Sequence, residues 1–281
     1  MGGRDATMVS LIDTHAHLDF PEFAADLGEV IQRAHLAGVT RIIAVGTDLE
    51  SSRNAVRIAG QFPGVFATVG WHPGHASEAP EDIRPALRDL VRSPKVVAIG
   101  ECGLDFHRLP SKTSGGSPEE DQALRLRQER LFEQQLEVAA ESDLNVVIHT
   151  RDSWKETLAQ FTPHAGRVRG VFHCFAGTPQ EVSEVIRLGS LFSVTGILTF
   201  KNGGNVRSAL ASAPPGGFML ETDCPYLAPV PHRGRRCEPA YVRETATVAT
   251  SVTGRSLEEI AAETSATAAE FFRGLDIPAR T

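Results

Sequence analysis

Lysine is scarce in this 281-residue chain: Lys95, Lys112, Lys155 and Lys201 are the only four. In all, 28 basic residues stand against 35 acidic ones, a formal net charge of −7. That balance excludes nucleic-acid binding through a broad basic surface. It leaves open phosphate chemistry in which bound metal ions supply the local positive charge. Aromatic residues make up only 6% of the chain, too few for an extended base-stacking platform. The four cysteines form no CxxC pair, which excludes a zinc ribbon or a disulfide scaffold. No apolar run reaches the roughly eighteen residues of a membrane span, and MGGRDATMVS lacks the apolar stretch of a secretory signal. The expectation is a cytoplasmic protein with no membrane partner, large enough to bury a core without covalent staples.

What is present starts with Asp13-Thr14-His15-Ala16-His17-Leu18-Asp19, directly after the apolar run Val9-Ser10-Leu11-Ile12. On a strand successive side chains alternate faces, so His15 and His17 point the same way, with Asp13 and Asp19 in phase. Two imidazoles at a strand's end are half of a metal site.

The rest of the chain reads as repeated strand–helix units. Strands are expected at 41–47, 65–71, 96–101, 145–149, 170–173, 191–195 and 218–223. Helices are expected at 21–38, 49–61, 80–92, 120–142, 179–188, 204–212, 239–252 and 256–272, with another capped by Asp152 and running to Phe161. Residues 107–120 have no apolar period and read as a flexible excursion. No Pro/Gly/Ser linker divides the units. Residues 1–8 are expected to be a disordered tail and 9–281 one α/β domain, a (β/α)8 TIM barrel, a fold that takes about 250 residues. A doubly wound open sheet is the rival architecture.

The expected strand ends collect His15, His17, His72, Glu101, His149, His173 and Asp223, including five of the ten histidines. In a barrel these ends converge on one face, where active sites lie. Four histidines and two carboxylates exceed the three protein ligands of a mononuclear catalytic zinc. A carboxylate such as Glu101 can bridge two cations about 3.5–4 Å apart, and water activated by metal removes the need for a Ser or Cys nucleophile. Cys102, Cys174 and Cys224 each follow one of these inward residues, so they are expected to face outward as buried thiols.

The motifs jointly resemble the TatD metal-dependent deoxyribonucleases of the amidohydrolase-like barrel superfamily. They are DTHAHLD at Asp13 to Asp19, GWHP at Gly70 to Pro73, IGECGLDF at Ile99 to Phe106 and the helix pattern from Arg130 to Gln135. VIHTRD at Val147 to Asp152, HCFAG at His173 to Gly177 and ETDCPYL at Glu221 to Leu227 complete the set. The resemblance implies one divalent metal on His15, His17 and Asp223 and a second on His149 and His173, bridged by Glu101. Mg²⁺, Mn²⁺ and Zn²⁺ are all compatible with such donors. It implies that His72 contacts the scissile phosphate or assists proton transfer, and that Asp223 deprotonates the attacking water. Arg151 and Arg235 are candidate phosphate contacts, Asp105 is expected to shape its loop, and Asp19 to support His17. The implied activity is 3′-to-5′ exodeoxyribonuclease action by a monomer on single-stranded or frayed DNA. Metal-dependent ester or amide hydrolysis, such as D-aminoacyl-tRNA deacylation, uses the same site, and a non-catalytic nucleic-acid-binding barrel is a third class. None of the four lysines occupies a bridging strand end, which weakens the phosphotriesterase and dihydroorotase readings. Two departures from the family pattern stand out: the long Gly/Ser/Lys excursion after His107, and Cys237 in place of the usual asparagine before Glu238-Pro239.

Overall fold

The computed structural model describes residues 9–275, so the tail expected at 1–8 lies outside the described residues. Eight strands follow one another around a single parallel sheet in the order of the sequence. They are β1 (Leu11–Ala16), β2 (Val39–Val45), β3 (Val65–Val69), β4 (Val96–Asp105), β5 (Asn145–Arg151), β6 (Gly170–Phe172), β7 (Leu191–Val194) and β8 (Phe218–Leu220). An open doubly wound sheet would reverse its strand order at a switch point, and no reversal occurs. The ring closes at a seam between β1 and β8. There His17 N donates to Cys224 O at 2.9 Å, Asp223 N to His15 O at 2.9 Å and Thr14 Oγ1 to Leu220 O at 3.0 Å. The domain is a (β/α)8 barrel.

The helices on the outside are α1 (Leu27–Leu36), α2 (Leu49–Gln61), α3 (Arg84–Leu90), α4 (Pro110–Thr113), α5 (Pro118–Glu141), α6 (Trp154–Phe161), α7 (Pro179–Arg187), α8 (Gly204–Ala211), α9 (Val242–Thr253) and α10 (Leu257–Phe271). Two are shorter than periodicity suggested. The segment from Pro21 opens with a 3₁₀ turn, Pro21–Phe23, before α1, and α3 covers only the centre of 80–92. Pro85 explains the second, because a helix begun at 80 would need the amide donor it lacks, whereas Pro21 only opens the 3₁₀ turn. The excursion after His107 is not structureless. It contains α4 and is tied down where Ser111 N donates to Asp121 Oδ1 at 2.8 Å. Asp152 does not cap α6. Its carboxylate instead pairs with His107 at 3.1 Å and Lys112 at 3.3 Å, holding the excursion against the end of β5.

Apolar side chains fill two layers. One cluster lies between strands and helices. The other fills the inside of the barrel with Ile12, Ile43, Val45, Phe66, Val97, Val147, Val171, Leu191 and Met219. The C-terminal end of α10 plugs the N-terminal face through Phe271, Phe272 and Leu275, and Asn145 Nδ2 at the start of β5 donates to Phe271 O at 2.7 Å. With both faces covered, the strands are buried almost throughout. Among the described residues no helix is long and apolar enough to cross a membrane.

Conservation of parity along the strands is broken where the site is built. Ile12 belongs to the inner layer and Ala16 to the outer one, although four residues apart they should share a face. The register of β1 against β2 slips between Asp13 and Ala16, and that of β4 against β5 slips between Ile99 and Cys102. Such irregularities re-aim side chains, and here they turn His15 and Glu101 into the barrel mouth.

Phe271→Ala should cost about 3–5 kcal/mol of stability, since it empties part of the plug. Divalent-cation binding should persist in the folded variant, because the plug lies at the opposite end of the barrel. Denaturant midpoints and calorimetric titration check this, and loss of cation binding by the folded protein would show that the two ends are coupled.

Candidate metal centre

The C-terminal strand ends bring His15, His17, His72, Glu101, His149, His173 and Asp223 around one cavity of about 550 Å³. Glu101 stands at its centre, 2% exposed. Its Oε2 lies 3.4 Å from His15 Nε2 and 3.7 Å from His17 Nε2. Asp223 Oδ1 completes this group at 3.8 Å and 3.3 Å from the same nitrogens, which are themselves 3.3 Å apart. The other oxygen, Oε1, faces His173 Nε2 at 2.8 Å, His149 Nδ1 at 2.9 Å and His72 Nε2 at 3.4 Å. His149 Nδ1 and His173 Nε2 approach to 3.2 Å.

These separations fit a bound cation. Ligands about 2.1 Å from a tetrahedral ion sit about 3.4 Å from one another. Imidazole nitrogens facing each other at hydrogen-bond distance cannot all be satisfied by protons of their own, but an ion between them satisfies every lone pair. His15 Nδ1, His17 Nδ1, His149 Nε2 and His173 Nδ1 are buried without a hydrogen-bond partner, so these rings find no better use for their nitrogens elsewhere. His15, His17 and Asp223 form one candidate metal-binding group, and His72, Glu101 and His149 another.

The surrounding residues fix this arrangement. Gly100 and Gly103 flank Glu101 with φ of +143° and +126°, and a Cβ on Gly103 would strike the carbonyl of His149. Only glycine meets both conditions. Two glutamines of α5, seven residues apart and so on one helix face, grip backbone on neighbouring strand ends. Gln135 accepts from Trp71 N at 2.7 Å and donates to Trp71 O at 3.0 Å, which sets His72. Gln128 does the same for Asp105 at 2.9 Å and 3.1 Å. Asp105 in turn accepts from His107 N at 2.8 Å and presents Oδ2 3.4 Å from His149 Nε2, so it both shapes its loop and faces a cluster imidazole.

Several placements depart from the sequence reading or were missed by it. Glu221, two residues before Asp223, is buried; it accepts from Cys174 N at 2.6 Å and Ser193 Oγ at 2.6 Å, with Oε1 3.6 Å from His173 Nδ1. Its period-two spacing from Asp223 was the available signal. Cys102 and Cys224 lie in the outer layer as expected, but Cys174 lines the cavity. Strand β6 ends at Phe172, so alternation no longer governs Cys174, which has φ +47°. Asp19 makes no hydrogen bond to His17, since Asp19 Oδ1 and His17 Nδ1 are both buried without a partner, but its charge helps hold that imidazole's pKa up. Arg151 lines the cavity. Arg235 is exposed and does not line it, Arg236 is paired with Asp26, and Arg233 covers the Phe200 ring. Cys237 is buried, with its amide on Pro225 O at 3.0 Å.

Burial opposes ionisation of Glu101, yet the facing His173, His72, His149 and His15 hold its carboxyl well below the usual range. Burial pushes His72 down to about 4 against the pull of Glu101, so it is neutral at neutral pH. Its Nδ1 accepts from Gly74 N at 2.9 Å, which places the ring proton on Nε2, toward the cavity.

Fold and site define a class, an amidohydrolase-like barrel with a metal-binding cluster at its C-terminal strand ends. The TatD related DNase family matches residues 12–273, and the chain belongs to that family. It is 34% identical over 264 residues to the uncharacterized metal-dependent hydrolase YabD of Bacillus subtilis, covering 94% of this chain and 99% of the relative. It is 36% identical over 273 residues to the 3′-5′ ssDNA/RNA exonuclease TatD of Klebsiella pneumoniae, covering 95% and 99%. The crystal structure of YjjV, a TatD homologue from Escherichia coli K12, superposes with a TM-score of 0.85 at 28% identity, covering 94% of this chain and 98% of that one. The protein is a metal-dependent hydrolase of the TatD family.

Metal uptake by this cluster should depend on pH. Burial disfavours charge on His17, His149 and His173, but Asp223, Asp105, Glu101 and Glu221 outweigh it and hold all three above the ordinary imidazole range. In the metal-free protein these rings therefore hold a proton more tightly than a free imidazole does, and a cation must displace it. Affinity should rise with pH through neutrality, roughly tenfold per pH unit for each proton displaced. Calorimetric titration in buffers of different ionisation enthalpy measures the release, and pH-independent binding without it would contradict this assignment.

Proposed function

We propose that this chain hydrolyses phosphodiester bonds at the 3′ ends of single-stranded or frayed DNA, using two divalent cations. The observation that carries the reading is the division of Glu101, one oxygen toward His15 and His17 and the other toward His149 and His173. That arrangement suits a carboxylate bridging one ion held with Asp223 and a second held by the other two histidines. When bound, such ions activate water and neutralise charge on the attacking and leaving oxygens of a phosphodiester.

The chain's own residues supply the rest. Asp223 lines the cavity and has its pKa lowered, because His17 and His15 outweigh the effect of burial. It is therefore ionised and takes the proton of the attacking water. His72, neutral with its proton on Nε2, donates to a phosphate oxygen or to the leaving group. Arg151, at the end of β5, contacts a phosphate of the bound strand other than the one attacked. A concave site of this volume, walled by the strand-end loops, takes the end of a strand more readily than the middle of a duplex, which supports terminal attack. The name of the Klebsiella relative supports the polarity and a single-stranded substrate. One chain contributes every residue of the cluster, so we take the enzyme to act as a monomer, in the cytoplasm.

The test begins with protein stripped by chelator and given 3′- or 5′-end-labelled single-stranded DNA. Addition of Mg²⁺, Mn²⁺ or Zn²⁺ should restore shortening from the 3′ end. Glu101→Ala should lose more than the about 10–100-fold that outer-shell residues of metal sites cost. Cleavage surviving in the variant would betray a contaminant. No cleavage by metal-loaded wild type would overturn the reading in favour of carboxylic ester or amide hydrolysis.

A further inference from the structure

Two sides of the cavity mouth carry different chemistry. On one side, Asp105 of β4 lies in register with Arg151 of β5 along the sheet backbone, and Arg108 follows three residues after Asp105, so both arginines rise from adjacent strand ends. Both are exposed and both line the cavity. Among the described residues neither guanidinium has an acidic partner, whereas Arg33, Arg84, Arg88, Arg236 and Arg255 are all ion-paired. The segment bearing Arg108 is fixed, since Asp105 Oδ1 accepts from Arg108 N at 3.3 Å and Asp152 holds His107 and Lys112. Two unpaired guanidinium groups held at the mouth of an acidic protein's cavity are an anion subsite in search of a second phosphate.

On the other side stand Phe20, just after β1, and Tyr226, just after β8. Their ring centroids are 6.1 Å apart, and Phe20 stacks on His17 at 4.7 Å. Tyr226 is 52% exposed although it is a large aromatic, and Leu227 and Ile197 continue the wall. In a closed ring of eight strands, the β1–β8 seam lies across from β4 and β5. The metal cluster lies at the strand ends below both, and Arg108, on the connection after β4, reaches near enough to Tyr226 to act on it electrostatically.

Resting on the phosphodiesterase reading above, we propose that a single strand crosses the mouth in one orientation. The terminal nucleoside stacks on the Tyr226 side, and the next phosphate along the chain sits on Arg108 and Arg151. The chemistry of the strand requires this direction. Beyond the bond to be cut, the terminal nucleoside carries a base and no phosphate, whereas the continuing chain carries one phosphate per residue. Stacking is indifferent to base identity, so the enzyme trims without sequence preference. The shortest substrate bound with full affinity has three nucleotides, because a dinucleotide has no second phosphate for the arginines.

The test is calorimetric binding of oligothymidylates to the metal-loaded enzyme, using phosphorothioate linkages that resist cleavage and free 5′ hydroxyls. Extending the oligomer from two to three nucleotides should tighten binding about tenfold, and a fourth should add little. Arg108→Ala/Arg151→Ala should abolish that increment, leave dinucleotide affinity within about twofold and flatten the salt dependence. Tyr226→Ala should weaken every length by about tenfold while preserving the increment, and Tyr226→Phe should restore affinity. An increment that survives loss of both arginines, or one that disappears with Tyr226, would overturn the proposal. Failure of wild type to cut unmodified strands would sink the nuclease reading separately, with the length dependence of binding still deciding the subsite.

Discussion

The structure is organised around a carboxylate that has to be buried. Glu101 is 2% exposed and has imidazoles from four different strand ends against its two oxygens. A lone ionised carboxylate in such a place would cost several kcal/mol, and the histidines, with the cations they are suited to hold, offset that cost. Everything nearby serves this placement. The slip in β4 turns the side chain inward, Gly100 and Gly103 permit the backbone path, and α5 sends two glutamines to fix the ends of β3 and of β4 itself. A buried charge of this kind is weak evidence for stability and strong evidence for function.

The seam that closes the barrel shares its bonds with the site. Strand β8 has only three residues, too few for a long ladder against β1. Asp13 makes up the deficit by accepting from Thr222 N at 2.9 Å and Thr222 Oγ1 at 2.6 Å. Burial pushes its carboxyl up to about 8, while those hydrogen bonds pull the other way. Two residues on, His15 O accepts from Asp223 N, so one backbone bond joins two members of the cluster. Closing the ring and setting the donor atoms are therefore one event, and a substitution that loosens the seam also moves the cluster.

The polar residues at strand ends were legible in the sequence because they break apolar runs at regular intervals. A histidine or carboxylate ending a Val/Ile stretch has few structural uses, and seven such positions, five of them histidines, point to a shared face. Parallel strands buried on both sides also read clearly as uninterrupted apolar runs. What escaped was whatever depends on departure from regular geometry. The register slips in β1 and β4 leave no trace in composition, and alternation applied blindly to Cys174 gave it the wrong environment. Asp152 looked like a cap because caps are local, whereas its partners His107 and Lys112 lie 45 and 40 residues away in the chain. The glutamines of α5 were visible as a pattern, but their partners are backbone groups, which no sequence motif announces.

Chemistry and selection are carried by different parts of this molecule. The donors that would hold cations sit on strands or within three residues of a strand's end, so their relative positions leave little room for variation. The residues that would choose a substrate sit on the connections beyond those strands, where the excursion after His107 and the loop after β8 can change length without disturbing the cluster. The charge distribution sharpens the division. A chain with a net charge of −7 gives a polyanion no long-range attraction, so recognition has to come from short-range contacts at the mouth. On the proposed reading, the cations hold the bond to be cut, two arginines hold the phosphate beside it, and the rest of the surface repels. Contacts confined to one end of a strand release it readily after each cut, and a surface of the wrong sign keeps the remainder from wrapping round the barrel. An acidic barrel with a few well-placed cationic groups is therefore suited to trimming ends, where a broadly basic one would hold whole nucleic acids and turn over slowly.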